Sequence, residues 1–217
     1  MKKTKTILML LCATVLISLS VLGTIAYLAD QSETVNTFTV GQVKIEVDEA
    51  KVNPDGTIVP GADRVKSNNY HLVPGMTYTK DPTMTVKANS EESYVRMLLV
   101  IDHAAEFDTI FADNGGANLR EIFGGYNAAE WLFEKETRID NTIVYEFRYK
   151  ESVKSNNASD KVLPALFTSL KVPGELDGDD MRLISNLKIT VIGHAIQRAG
   201  FNDANAAWAA FETQINK

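Results

Sequence analysis

Cysteine and histidine are the scarcest reactive residues in this 217-residue chain, with one of the first, Cys12, and three of the second, His71, His103 and His194. A single thiol excludes a disulfide framework. No H-E-x-x-H run exists, so the simplest zinc-peptidase helix is missing. No G-x-S-x-G elbow occurs either. The glycine pairs Gly115-Gly116 and Gly124-Gly125 are not followed by Lys-Ser or Lys-Thr, which excludes a phosphate loop and reads as helix stops. Basic residues are outnumbered, 22 against 28 acidic, and no basic patch interleaves with aromatics, so nucleic acid is not an expected partner. No catalytic and no cofactor-binding residue is assigned on these grounds.

What the chain does have is an apolar start. Lys2, Lys3 and Lys5 precede an uncharged stretch from Thr6 to Ala29. Thr24 and Ala26 are small residues two apart, the spacing a signal peptidase accepts, so residues 1–26 are expected to be a signal peptide cleaved between Ala26 and Tyr27. An uncleaved signal anchor is the alternative, because a run of about 20 apolar residues can span a bilayer. Either reading exports the rest, and contact with the membrane is expected only through the signal before cleavage. Cys12 lies inside the apolar run behind Leu11, not behind the small residue a lipoprotein signal requires, and it leaves with the signal. Removal of residues 1–26 takes three lysines and no acid, leaving 19 basic against 28 acidic residues, a net charge of −9 instead of −6. A secreted, acidic, cysteine-free domain is expected, large enough to rely on an apolar core alone.

Beyond Asp30 the patterning is that of strands. Val43, Ile45 and Val47 alternate with Lys44, Glu46 and Asp48. Asn53-Pro54-Asp55-Gly56 and Pro60-Gly61 are turn signals. The run MTYTKDPTMTVKA predicts a strand interrupted at Asp81-Pro82, and a proline without a ladder donor predicts an edge or a bulge there. SYVRMLLVID, apolar on both faces at its centre, predicts an internal strand. Phe107, Ile110, Phe111, Leu119, Ile122 and Phe123 have helical spacing, which predicts two short helices or turns inserted between strands. Residues 129–139 and 142–149 predict a hairpin turning at Asp140-Asn141, and LKITVIGHAIQ predicts the last strand. Asp203 can cap a final helix with Ala207, Trp208, Phe211 and Ile215 along one stripe. About eight short strands without βαβ alternation predict a mainly β fold, an antiparallel two-sheet sandwich with short helical insertions and a C-terminal helix. The expected organisation is signal 1–26, an N-terminal segment 27–40, and a β-sandwich domain 41–217.

Two features invite a metal. Asp177, Asp179 and Asp180 form an acidic loop whose carboxylates suit a hard cation such as calcium, yet no glutamate closes an EF-hand, and a solvated turn is the plainer reading. The three histidines are far apart in sequence, and a zinc site requires them to converge in space. His103 stands beside Asp102, and His194 follows Gly193 in a strand, where a satisfied sheet residue is expected.

Four stretches together carry a resemblance: Gly23–Tyr27 at the end of the signal, Glu33–Val47 (ETVNTFTVGQVKIEV), Leu72–Val86 (LVPGMTYTKDPTMTV) and Ser93–Asp102 (SYVRMLLVID). With them the chain resembles the TasA/camelysin (CalY) family of Gram-positive bacteria, secreted proteins with a SipW-dependent-type signal. Asn36–Gly41 is the most specific piece, and VLPALFTSLKVPGEL and LKITVIGHAIQRAGF extend the resemblance over nearly the full chain. The resemblance implies a jelly-roll-like β-sandwich, release by a SipW-type signal peptidase, and assembly into fibres of a biofilm or surface matrix, with itself and other matrix proteins as partners. Some family members are described as metallopeptidases, and this chain departs from any zincin motif. Tyr27, Val35 and Phe38 are the expected assembly residues, on a freed segment that adds to the sheet edge of a neighbour. The alternatives are a camelysin-like secreted metallopeptidase, with calcium or zinc as the metal, and a monomeric binding module that uses residues 113–126.

Overall fold

The computed structural model describes residues 42–111, 122–156 and 158–215. Ala26, Tyr27, Val35, Phe38, the whole signal, and Leu119 of the helical insertion lie outside the described residues.

The longest strand is the one whose sequence is apolar on both faces. β4 (Ser93–Asp102) lies inside a four-stranded antiparallel sheet of order β10-β4-β7-β6, with β6 at Trp131–Ile139, β7 at Thr142–Tyr149 and β10 at Ile189–Gln197. β6 and β7 form the expected hairpin, closing on the pair Ile139 and Thr142 around Asp140-Asn141. Asp140 has φ 52°, the left-handed conformation that mirror-image hairpin turns use.

Two three-stranded sheets complete the β structure of the described residues. One has the order β1-β3-β8, from β1 (Ile45–Asp48), β3 (Thr83–Val86) and β8 (Lys161–Val162); the other has the order β2-β9-β5, from β2 (Thr77–Thr79), β9 (Ser169–Lys171) and β5 (Phe123–Gly124). The fold is therefore mainly β and sandwich-like, with its strands divided among three hydrogen-bonded sheets instead of the two expected. The division happens at Asp81-Pro82. β2 before it and β3 after it belong to different sheets, so the proline without a donor falls where the chain changes partner. Pro82 still accepts from the Leu166 N–H at 3.0 Å, and the Asp81 carboxylate accepts from the Ala50 N–H at 2.6 Å and from Arg64 at 2.8 Å. The expectation of an edge at this break is corrected for β3, which is paired on both sides, by β1 and β8.

One apolar core lies between the sheets. It draws Met84 and Val86 from β3, Met97 and Leu99 from β4, Ile143 and Phe147 from β7, and Leu170 from β9. α1 (Ala104–Phe111) adds Phe107 and Phe111, stacked at 4.8 Å between ring centroids. Gly193 of β10 allows the β1 layer to approach: a Cβ placed there would lie 2.5 Å from Val47 Cγ2 and 2.9 Å from Met84 Cε.

Among the described residues the other helices are α2 (Gly178–Leu183) and α3 (Ala204–Ile215). α2 occupies the acidic stretch read as a loop. The carboxylates hold its N-terminus: Asp177 Oδ1 accepts from the Asp179 and Asp180 N–H groups at 2.8 and 3.0 Å, and Asp180 Oδ2 accepts from the Asp177 N–H at 3.1 Å. α3 is the expected C-terminal helix, with Asp203 Oδ1 accepting from the Ala206 N–H at 2.8 Å.

Candidate assembly surface

In the four-stranded sheet each residue faces either the core or the outer side. Ile189, Val191 and Gly193 of β10, Val95 to Ile101 of β4 at every second position, and Ile143, Tyr145 and Phe147 of β7 face inward. Opposite them on the outer face stand Ile192 and His194, then Arg96, Leu98 and Val100, then Val144, Glu146 and Arg148.

One half of that outer face is covered by α3. Ala207 and Trp208 are buried there against Ile196, with Tyr94 and Phe211 beside them. Under the helix lies a charged network. Arg96 is 2% exposed and Glu146 3%. Arg96 donates Nε–H to His194 Nδ1 at 3.2 Å, and its NH1 group lies 3.3 Å from Glu146 Oε1 and 2.7 Å from Glu212 Oε1. The guanidinium stacks over Trp208 at 4.5 Å and Phe211 at 5.1 Å. Arg148 donates to Glu146 at 2.7 Å and to Asn205 of α3 at 2.8 Å. Burial pushes the Glu146 carboxyl up, but the Arg148 hydrogen bond and the charges of Arg96, Arg148 and Lys135 outweigh it and hold the group below the ordinary glutamate range. His194 moves below its ordinary value, first because it is buried and then because Arg96 is beside it. None of these charged residues carries a sequence motif. The only signal was an arginine in a strand otherwise apolar at its centre.

Among the described residues the other half of the outer face is uncovered, with Leu98, Val100 and Val144 half-buried and Ile192 40% exposed. It runs to β6, which pairs only with β7 among the described residues and forms one margin of the sheet. Leu132, Phe133 and Ile139 on β6 are 46%, 49% and 60% exposed. A register shift between Phe133 and Lys135 bulges the strand. Past the bulge stand Lys135, Glu136, Thr137 and Arg138. Arg138 reaches both Glu136 at 2.6 Å and Asp108 of α1 at 2.5 Å. Flanking a two-residue turn, Ile139 and Thr142 exchange main-chain hydrogen bonds, and antiparallel ladders alternate from there. Thr137 and Lys135 then bond toward β7, and Glu136 and Arg138 direct their main-chain N–H and C=O outward.

The residues flagged for a metal are placed apart. His194 lies opposite Arg96, and His103 follows Asp102 past the far end of that partner strand, about 23 Å away at the ordinary strand rise. His103 Nδ1 sits 3.1 Å from Asp102, whose hydrogen bond raises the imidazole above its ordinary value. His71 is in a loop, donating its main-chain N–H to Pro54. Asp177, Asp179 and Asp180 do come together, as the cap of α2, where Asp179 also pairs with Arg182. Among the described residues no group of three or more His, Cys, Asp or Glu side chains is placed to hold a metal ion.

A groove of about 890 Å³ opens between β1, the loop 66–72 and the start of β10. At its wall Lys80 pairs with Glu49 at 2.8 Å, both buried, and Asn68 donates to Glu49 and Ala50. Lys80, Glu49 and Asn68 are thus engaged with one another and with the main chain.

Fold and surface together define a mainly β, sandwich-like protein with a long strand at the margin of its principal sheet. No family model matches the chain, and neither a curated protein nor a solved structure matches it.

Proposed function

We propose that this chain is a secreted structural subunit of an extracellular matrix, which joins copies of itself by adding a strand of one copy to a sheet edge of the next. The observation that carries this reading is β6, nine residues long, paired on one side only among the described residues and bearing three exposed apolar side chains. A long unpaired edge is a template for another strand. The resemblance of the chain to the TasA/camelysin family supports the same reading. Cleavage by a SipW-type signal peptidase after Ala26 frees Tyr27–Val40, a polar, β-compatible segment that carries Val35 and Phe38. That segment is the donor strand for the other margin of the same sheet, β10, which pairs only with β4 among the described residues. Other matrix proteins are further partners.

The experiment is electron microscopy of the exported chain with and without Tyr27–Asn36. Fibres are expected from the first and not from the second, and undiminished fibres after the deletion would overturn the donor role.

A further inference from the structure

The chemistry along β6 restricts what can pair with it. The bulge and the charges of Lys135, Glu136 and Arg138 repel an arbitrary apolar strand, as protected edges do. An acceptable partner must present outward main-chain groups at the same spacing and charges of the opposite order. β6 itself does so when reversed.

We propose that β6 of one copy pairs antiparallel with β6 of a second copy about a twofold axis at Thr137. This inference rests on the reading of the chain as a self-assembling subunit and names the partner of one edge. With Thr137 opposite the second copy's Thr137, each Glu136 stands opposite an Arg138, and each Lys135 opposite an Ile139. Glu136 and Arg138 are the residues whose main-chain groups point away from β7, so their pairs are the hydrogen-bonded ones and Thr137 forms the close, non-hydrogen-bonded pair. Side chains opposite one another then share a face, the requirement of an antiparallel ladder. The two neighbouring registers fail on charge. Centring on Glu136 sets two carboxylates face to face, and centring on Arg138 sets two guanidiniums face to face. The pairing uses only residues 135–139 and keeps the bulge outside it. It doubles the four-stranded sheet and brings Ile139, the most exposed apolar side chain of the strand, under the aliphatic stem of the second copy's Lys135. Such a contact is isologous and closes on itself. It leaves the outer side of β10, the opposite margin of the sheet among the described residues, as the acceptor for the Tyr27 segment. Fibres built in this way are paired along their length.

The test is cysteine cross-linking in the full chain carrying Cys12→Ser. Thr137→Cys is expected to form a disulfide dimer as the main product of mild oxidation. Lys135→Cys is expected to stay monomeric, because its two copies are about 13 Å apart in this register and a disulfide needs Cα atoms within about 7 Å. Equal cross-linking at both positions, or none at 137, would overturn the pairing. Charge exchange supplies a measurement free of cysteine: Glu136→Arg is expected to abolish the dimer in sedimentation velocity, and Glu136→Arg with Arg138→Glu to restore it. A Glu136→Arg variant that stays dimeric also overturns the register. Deletion of Tyr27–Asn36 separates this inference from the fibre reading. Cross-linking at 137 that survives loss of fibres supports both. Fibres without cross-linking at 137 leave the fibre reading and remove this one.

Discussion

Arg96 donates its Nε–H to Nδ1 of His194, 3.2 Å away, beneath a helix that reaches the same guanidinium through Glu212. The bond requires a neutral imidazole with its proton on Nε2. A proton on Nδ1 removes the acceptor and sets two cations together. Because the folded state depresses His194 below the ordinary value of 6.5, the folded chain binds fewer protons than the unfolded one in that window. The stability His194 contributes is present above 6.5 and is lost as pH falls toward its folded value. His103 is raised by Asp102 and acts with the opposite sign, its contribution present below 6.5 and lost as pH rises. Denaturant unfolding at pH about 7.5 and about 5.5 is expected to show a drop on acidification that is larger in His103→Gln and smaller in His194→Gln. An unchanged drop in His194→Gln would place the titration elsewhere.

Arg96 also neutralises Glu146 inside the sheet's outer layer. Arg96→Met leaves Glu146 to Arg148 and Lys135, and frees Glu212 of α3. A loss of about 3 kcal/mol in unfolding free energy is expected, the low end for breaking a buried pair, because Arg148 remains. Tryptophan fluorescence of Trp208, which lies over the guanidinium, is expected to shift to the red before global unfolding.

The approach of β1 to β10 depends on the missing side chain at Gly193. In Gly193→Ala the new Cβ meets Val47 and Met84, so a loss of about 1–3 kcal/mol is expected in denaturant unfolding. Gly193→Ala with Val47→Ala is expected to recover part of it, since the closest clash is with Val47 Cγ2.

At α2 the carboxylate of Asp177 is engaged by main-chain N–H groups. Asp177→Ala is expected to cost about 1 kcal/mol, the usual value of an N-cap, with a matching fall in melting temperature. Calcium followed by chelator is expected to leave the melting temperature of the wild-type chain unchanged. A rise with calcium that Asp177→Ala removes would restore the cation reading of this loop.

Periodicity made the principal sheet readable. The hairpin turning at Asp140-Asn141, the internal strand at Ser93–Asp102, the last strand and the helix behind Asp203 all follow from alternation, turn chemistry and capping. Two features were hidden because they depend on partners distant in sequence. Asp81-Pro82 marks a break, but only the pairing of β3 with β1 and β8 shows that the break moves the chain between sheets. Arg96 and Glu146 look like outward polar residues of alternating strands, and only the packing of α3 buries them. At Asp177 the local pattern is ambiguous, because a capping box and a solvated turn use the same residues. The margin of β6 was legible as a strand, whereas its position at the margin is a property of the sheet.

Sedimentation velocity of the chain from Tyr27 onward, over a concentration series, reads the proposed self-association. A shift from monomer to dimer and then to growing assemblies is expected as concentration rises, with the dimer retained and the growth lost when Tyr27–Asn36 is deleted. A single monomeric boundary at every concentration would contradict it.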